Sequence, residues 1–102
     1  MIITKSKPFT KEEIEKKNKE ILGALALDLK RVALGYHRGS DTMAERFFEE
    51  ALKRKAEVDT KNLKPYLAKF LSKIENLKKE KREKAADDAL LYSIIFQNAS
   101  QV

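Results

Sequence analysis

The stretch IENLKKEKREKAADDALLYSIIF, residues 74–96, decides the fold. It favours helix throughout, and no Gly or Pro separates the apolar positions that end at Leu77 from those that begin at Leu90. Read as a single rod, Asn62 to Ala99 would extend roughly 57 Å at about 1.5 Å per residue. A compact domain of this length has a radius of gyration near 13 Å. The phase of the pattern also argues for two helices. At about 100° per residue, the face made by Leu90, Leu91, Ile94 and Ile95 lies more than about 100° from the preceding stripe. A break within residues 76–81 lets both faces point inward. Asn76, which tolerates the left-handed conformation, is the expected pivot. A fourth helix is therefore predicted over about residues 80–98. The competing reading is one continuous helix in an elongated dimer.

Working outward, a third helix is expected over 62–77, with Asn62 as its cap and Pro65 in the first turn, where no amide partner is lost. Leu67, Phe70, Leu71, Ile74 and Leu77 form its apolar stripe. A second helix is expected over 41–58, started by Ser40, Asp41 or Thr42, with Thr42 and Glu45 spaced as a capping box. Its stripe is Ala44, Phe47, Phe48, Ala51, Leu52 and Val58. The first helix, about 10–35, opens on a capping box of Thr10 and Glu13. It carries Ile14, Ile21, Leu22, Leu25, Leu29 and Val32 on one face. Gly35 or Gly39 supplies the left-handed residue that ends it. Residues 1–9 read as a flexible lead-in, with Phe9 folding onto Ile14 as a hydrophobic staple. Residues 100–102 read as a frayed tail. The expectation is all-α: a small antiparallel four-helix bundle, forming one domain over 10–99.

Composition narrows function. The chain has 102 residues, 22 basic and 16 acidic, with a formal net charge of +6. It has no Cys and one His. That removes disulfides, thiolate zinc sites, Cys nucleophiles and sites built on two or more His. No apolar run reaches the roughly 18 residues a membrane span needs. The first ten residues are too short and polar for a secretory leader, so the cytoplasm is the expected compartment. No cofactor and no metal are expected. Di-iron bundles use Glu-x-x-His, whereas Leu34 stands three residues before His37.

Four constellations remain. Twelve basic and five acidic residues fall between Lys53 and Lys84, and the rest of the chain is nearly neutral. Lys53, Arg54, Lys55, Lys78, Lys79, Lys81 and Arg82 are the candidates for phosphate backbones or other polyanions. The plainer reading is a solvated face with cations near helix C-termini. Tyr36, His37, Arg38, Ser40 and Asp41 gather at the corner between helices one and two. A helix N-terminus with Arg38 beside it suits an anion or ligand. The same residues also read as caps around Gly39, and a Ser-His pair alone does not make an acyl-transfer site. Asn18 and Asp28 fall on or beside the apolar face of helix one, with Arg46 or a Lys as the expected partner for Asp28. Tyr92 and Ser93 lie within the apolar face of helix four, and Asp87 and Asp88 diverge on it. Finally, Leu27 and Leu34 project from the back of helix one, with Gly23, Ala24 and Ala26 offering surfaces for close approach. An apolar residue in that place is covered either by bundle mates or by another chain.

The resulting expectation is a non-catalytic protein–protein interaction or regulatory module that self-associates or binds another protein. One alternative is nucleic-acid or polyanion binding through residues 53–84. A further alternative is ligand binding at the 36–41 turn, and an enzyme built on His37 is the remotest.

Overall fold

A computed structural model describes residues 10–102, so the lead-in 1–9 and the Phe9 staple lie outside the described residues. Four α-helices follow in order: α1 Lys11–His37, α2 Asp41–Glu57, α3 Pro65–Lys73 and α4 Arg82–Ser100. Short 3₁₀ segments occupy Thr60–Asn62 and Ile74–Lys79.

α1 is the spine, packed against α2 on one side and α4 on the other. The α2 flank is fixed by Gly35 against Ala44 at one end and by Asn18 against Asp59 at the other. The α4 flank brings Gly23 beside Ser100, and Asp41 just past α1 pairs with Arg82 at the start of α4. Both neighbours therefore run antiparallel to α1. The chain returns through α3 and the following 3₁₀ segment: Phe70 of α3 packs on Tyr92 of α4 with ring centres 5.9 Å apart, and Glu75 of the 3₁₀ segment pairs with Lys55 of α2. The arrangement is a small antiparallel helical bundle. Leu22, Leu25, Leu29, Val32, Ile74, Leu77 and Phe96 are its largest fully enclosed side chains. Each such side chain contributes about 1.5–3 kcal/mol through removal from water.

Local chemistry sets the boundaries. The Glu13 amide donates to the Thr10 hydroxyl at 3.1 Å, and the Thr10 amide donates to the Glu13 carboxylate at 3.0 Å. This is the expected capping box. Gly39, at φ +72°, supplies the left-handed turn after α1. Gly35 stays helical and serves packing instead: a Cβ there would lie 2.7 Å from the Ala44 backbone nitrogen. α2 is capped by Ser40, whose hydroxyl accepts from the Met43 amide at 3.2 Å, so Thr42 and Glu45 are not its cap. Asn62 does not cap α3; it belongs to the 3₁₀ turn capped by Asp59, and α3 begins at Pro65 after Lys64.

The decisive break lies where residues 76–81 were expected to bend, but not by the expected means. Asn76 remains inside the 3₁₀ segment, and Gly39 is the single positive-φ residue among the described ones. The chain turns because Glu80 and Lys81 are both extended, at φ −90°, ψ 158° and φ −63°, ψ 150°. Tightening α3 into a 3₁₀ turn from Ile74 rotates Ile74 and Leu77 into the core, where both are fully buried.

α4 corrects the sequence reading most. Its inner face is Ala85, Ala86, Ala89, Tyr92, Ser93 and Phe96. Leu90, Leu91 and Ile94, expected inside, are exposed, and Ile95 is half-buried. The physical reason is the small-residue seam: α1 packs along α4 with Gly23 beside Ser100, and the buried small residues Ala26 and Ala33 of α1 and Ala85, Ala86 and Ala89 of α4 suit close packing better than branched side chains do. α4 also continues to Ser100, beyond the expected fraying point.

Candidate interaction surface

The register between α1 and α4 assembles the surface. Gly23 lies level with Ser100, and the far end of α1 lies level with Arg82. Leu27 is therefore level with the turn containing Ile94 and Phe96, and Leu34 with Leu90. On α1, Leu27 and Leu34 stand one heptad apart, on the side opposite the buried stripe. On α4, Leu90 and Ile94 stand four apart on the side next to them, with Leu91 on the outer shoulder. These five side chains are between 37% and 49% exposed. They account for five of the seven large exposed apolar residues among those described. The exposed apolar side chains thus lie on two neighbouring helices, with the exposed Lys30 midway between the two α1 leucines, and grouped exposed apolar residues of this kind mark an interaction site. On α2, Phe47 packs against the core and carries the guanidinium groups of Arg31 and Arg46 at 5.2 and 5.9 Å from its ring centre.

The sequence identified Leu27 and Leu34 and missed Leu90, Leu91 and Ile94. The missed signal was the alternate face of α4. Ala85, Ala89 and Phe96 with Ala86 and Ser93 also recur at helical spacing, and a stripe of small residues marks close approach to another helix.

The basic candidates scatter. Arg54 leans toward Asp28 at 3.7 Å and Glu57 at 3.9 Å, Lys53 bonds Glu50 at 3.3 Å, and Lys55 reaches Glu75 at 3.5 Å. Arg82 donates through one terminal nitrogen to both Asp41 oxygens, each at 2.8 Å. Lys78, Lys79 and Lys81 are exposed at the end of the 3₁₀ segment and form no ion pair among the described residues. Lys84 lies between Asp88 at 2.7 Å and Glu80 at 3.2 Å. Hydrogen bonds to both carboxylates, Asp88 first, hold the Lys84 pKa above its usual value. Burial, and then the hydrogen bond with Asp88, push the Glu80 carboxyl up.

The 36–41 corner is largely engaged in structure. Ser40 caps α2, Asp41 is held by Arg82, and Tyr36 is half-buried against the core, its hydroxyl pKa raised chiefly by burial. His37 and Arg38 are exposed. A cavity of about 240 Å³ lies at the opposite end of the bundle, among Leu22, Leu63, Tyr66, Leu67 and Ala99, with Lys19 and Lys64 at its edge. His37 does not line it.

The buried polar groups are structural in placement. Asn18 donates to the Asp59 carbonyl at 3.0 Å and accepts from the Asp59 amide at 2.9 Å. Asp28 faces Arg54 and Arg31, at 3.7 and 3.8 Å, rather than Arg46 or a Lys. Burial raises the Asp28 carboxyl above its usual range; Arg54 and then Arg31 oppose that, and Glu50 adds to it. Among the described residues, no group of three or more His, Cys, Asp or Glu is placed to hold a metal ion. No helix of the described chain is long and apolar enough to cross a membrane.

No protein-family model matches the chain, nor does any curated protein, nor any solved structure.

Proposed function

We propose that this protein is a non-catalytic protein–protein interaction module, and that it docks through the outer face of α1 and α4. One observation carries the reading. The large apolar residues Leu27, Leu34, Leu90, Leu91 and Ile94 are left exposed on two neighbouring antiparallel helices, α1 and α4. An exposed face of this kind gains its burial energy when a partner covers it. The test is the triple variant Leu27→Gln, Leu91→Gln, Ile94→Gln. At low protein concentration its thermal melt stays within about 1 kcal/mol of the parent for each site, because half-exposed side chains contribute little to the monomer. Binding of an apolar fluorescent dye falls sharply. A loss of stability as large as a core truncation produces would place these residues in the fold and overturn the reading.

A second reading rests on Lys78, Lys79 and Lys81, three exposed lysines without an ion pair among the described residues. They form a basic knuckle suited to a polyanion. Titration with duplex and single-stranded oligonucleotides at two salt concentrations tests it. Binding that weakens steeply with salt and is lost in a Lys78→Glu, Lys79→Glu, Lys81→Glu variant supports it. Absence of binding at low salt removes it.

A further inference from the structure

We infer that the occupant of the α1–α4 face is a second copy of this chain, in a twofold dimer that lays α1 of one copy along α4 of the other. This rests on the interaction reading above and supplies its partner.

Charge placement is the first argument. The chain as a whole carries +6, which disfavours indiscriminate self-association. The face itself is polarised at one end. Arg38 is exposed at the end of α1, and Glu83 and Asp87 are exposed in the first turns of α4. The Asp41–Arg82 contact shows that these two helix ends are level with one another. A twofold axis parallel to the helices preserves height while exchanging α1 for α4. It therefore sets Arg38 of each copy over Glu83 and Asp87 of its partner's α4, where the neighbouring cations Arg82 and Lys84 are already held by Asp41 and by Glu80 and Asp88. The same operation places Leu34 over Leu90 and Leu27 over Ile94, so apolar meets apolar along the strip. It also runs each α1 antiparallel to the opposing α4, which opposes their macrodipoles favourably. The contact repeats itself through the axis, as an isologous interface requires.

Area is the second argument. A stable interface takes roughly 800 Å² per partner, so the five apolar side chains form only its centre. α1 and α4 have 27 and 19 residues. Along their shared length the polar flanks supply the remainder, giving an apolar centre with a charged rim.

The experiment is sedimentation equilibrium on the full chain, from on the order of 1 μM to 1 mM, a range that covers weak and strong dimers. The expected result is a dimer whose dissociation constant rises at least about tenfold on Ile94→Arg, equivalent to about 1.4 kcal/mol. Arg38→Glu and Asp87→Arg each weaken the dimer, and the two together restore it, because the swapped charges meet across the axis. A monomer at every concentration overturns the inference, as does a dimer indifferent to Ile94→Arg, or a double charge swap no tighter than either single one. If the chain is monomeric but Ile94→Arg still abolishes dye binding without lowering the melt, the second copy is wrong and the interaction face stands. If Ile94→Arg instead unfolds the chain, both readings fail together.

Discussion

The two faces of α4 differ in the opposite sense from a simple amphipathic helix. The inner face carries three alanines and a serine beside Tyr92 and Phe96, while the outer one carries Leu90, Leu91 and Ile94. Burial here follows fit rather than hydrophobicity. Small side chains are buried on both α1 and α4, Gly23 lies beside Ser100, and Phe96 is fully enclosed with them. The larger aliphatic residues left outside are surplus to the monomer, and that surplus is what a partner can use.

The largest effect expected from this contrast compares residues two apart. Phe96→Ala should cost about 3–5 kcal/mol, since Phe96 is fully enclosed, whereas Ile94→Ala should cost less than about 1 kcal/mol in the monomer. Chemical denaturation at low protein concentration checks both, and similar losses would dissolve the distinction between the faces. A second contrast compares the two flanks of α1. Gly35→Ala should destabilise by about 1–3 kcal/mol, because its new methyl meets Ala44 backbone that cannot move aside. Gly23→Ala should stabilise by about 0.5–1 kcal/mol, because its methyl reaches only ordinary contact with Ser100, at 3.6 Å, while the helix gains propensity. Equal signs would show that the α2 and α4 joints are equally tight.

On its α2 flank, α1 buries its own carboxylate Asp28 toward Arg54. Because the folded Asp28 pKa lies above its unfolded value, the fold binds this proton more tightly than the unfolded chain does. The corresponding stability is lost as pH rises from about 4 toward the raised value, and the loss is complete above it. Asp28→Asn, which mimics the protonated acid, should therefore melt above the parent at pH 7, with the gap closing below about pH 4. Thermal melts across pH 3–8 measure this, and an Asn variant less stable at pH 7 would show that the arginines outweigh desolvation. The smallest effect is at the surface: Arg82→Ala should cost about 0.5 kcal/mol, since both partners are half-exposed.

Much of the architecture was legible in the residues. Apolar spacing located four helices, and the Thr10–Glu13 box, Gly39 and Ser40 fixed two boundaries because each acts through its own local chemistry. The turn at Glu80 and Lys81 was placed closely, although its backbone conformation was not. Neither residue carries an intrinsic bend, and the geometry follows from seating Ile74 and Leu77 in the core. The orientation of α4 was not legible, since two apolar stripes compete on it and only the partner's small residues decide between them. The same holds for the candidate surface. Leu27 and Leu34 announced themselves as misfits on α1, whereas Leu90, Leu91 and Ile94 looked like core until α4 was rotated. Asp28's partners were missed because Arg54 reaches it from α2, where only packing decides between Arg46 and Arg54.

Asn18 has a consequence for the order of assembly. Its side-chain amide grips the peptide group of Asp59 through both donor and acceptor, across 41 positions of sequence. The linker after α2 is thus latched by a residue within the second turn of α1, and it has no comparable hold until that turn is wound. The Asp59 amide becomes a built-in timer: its hydrogen exchange reports when the first and third quarters of the chain have found each other, whatever the remainder is doing.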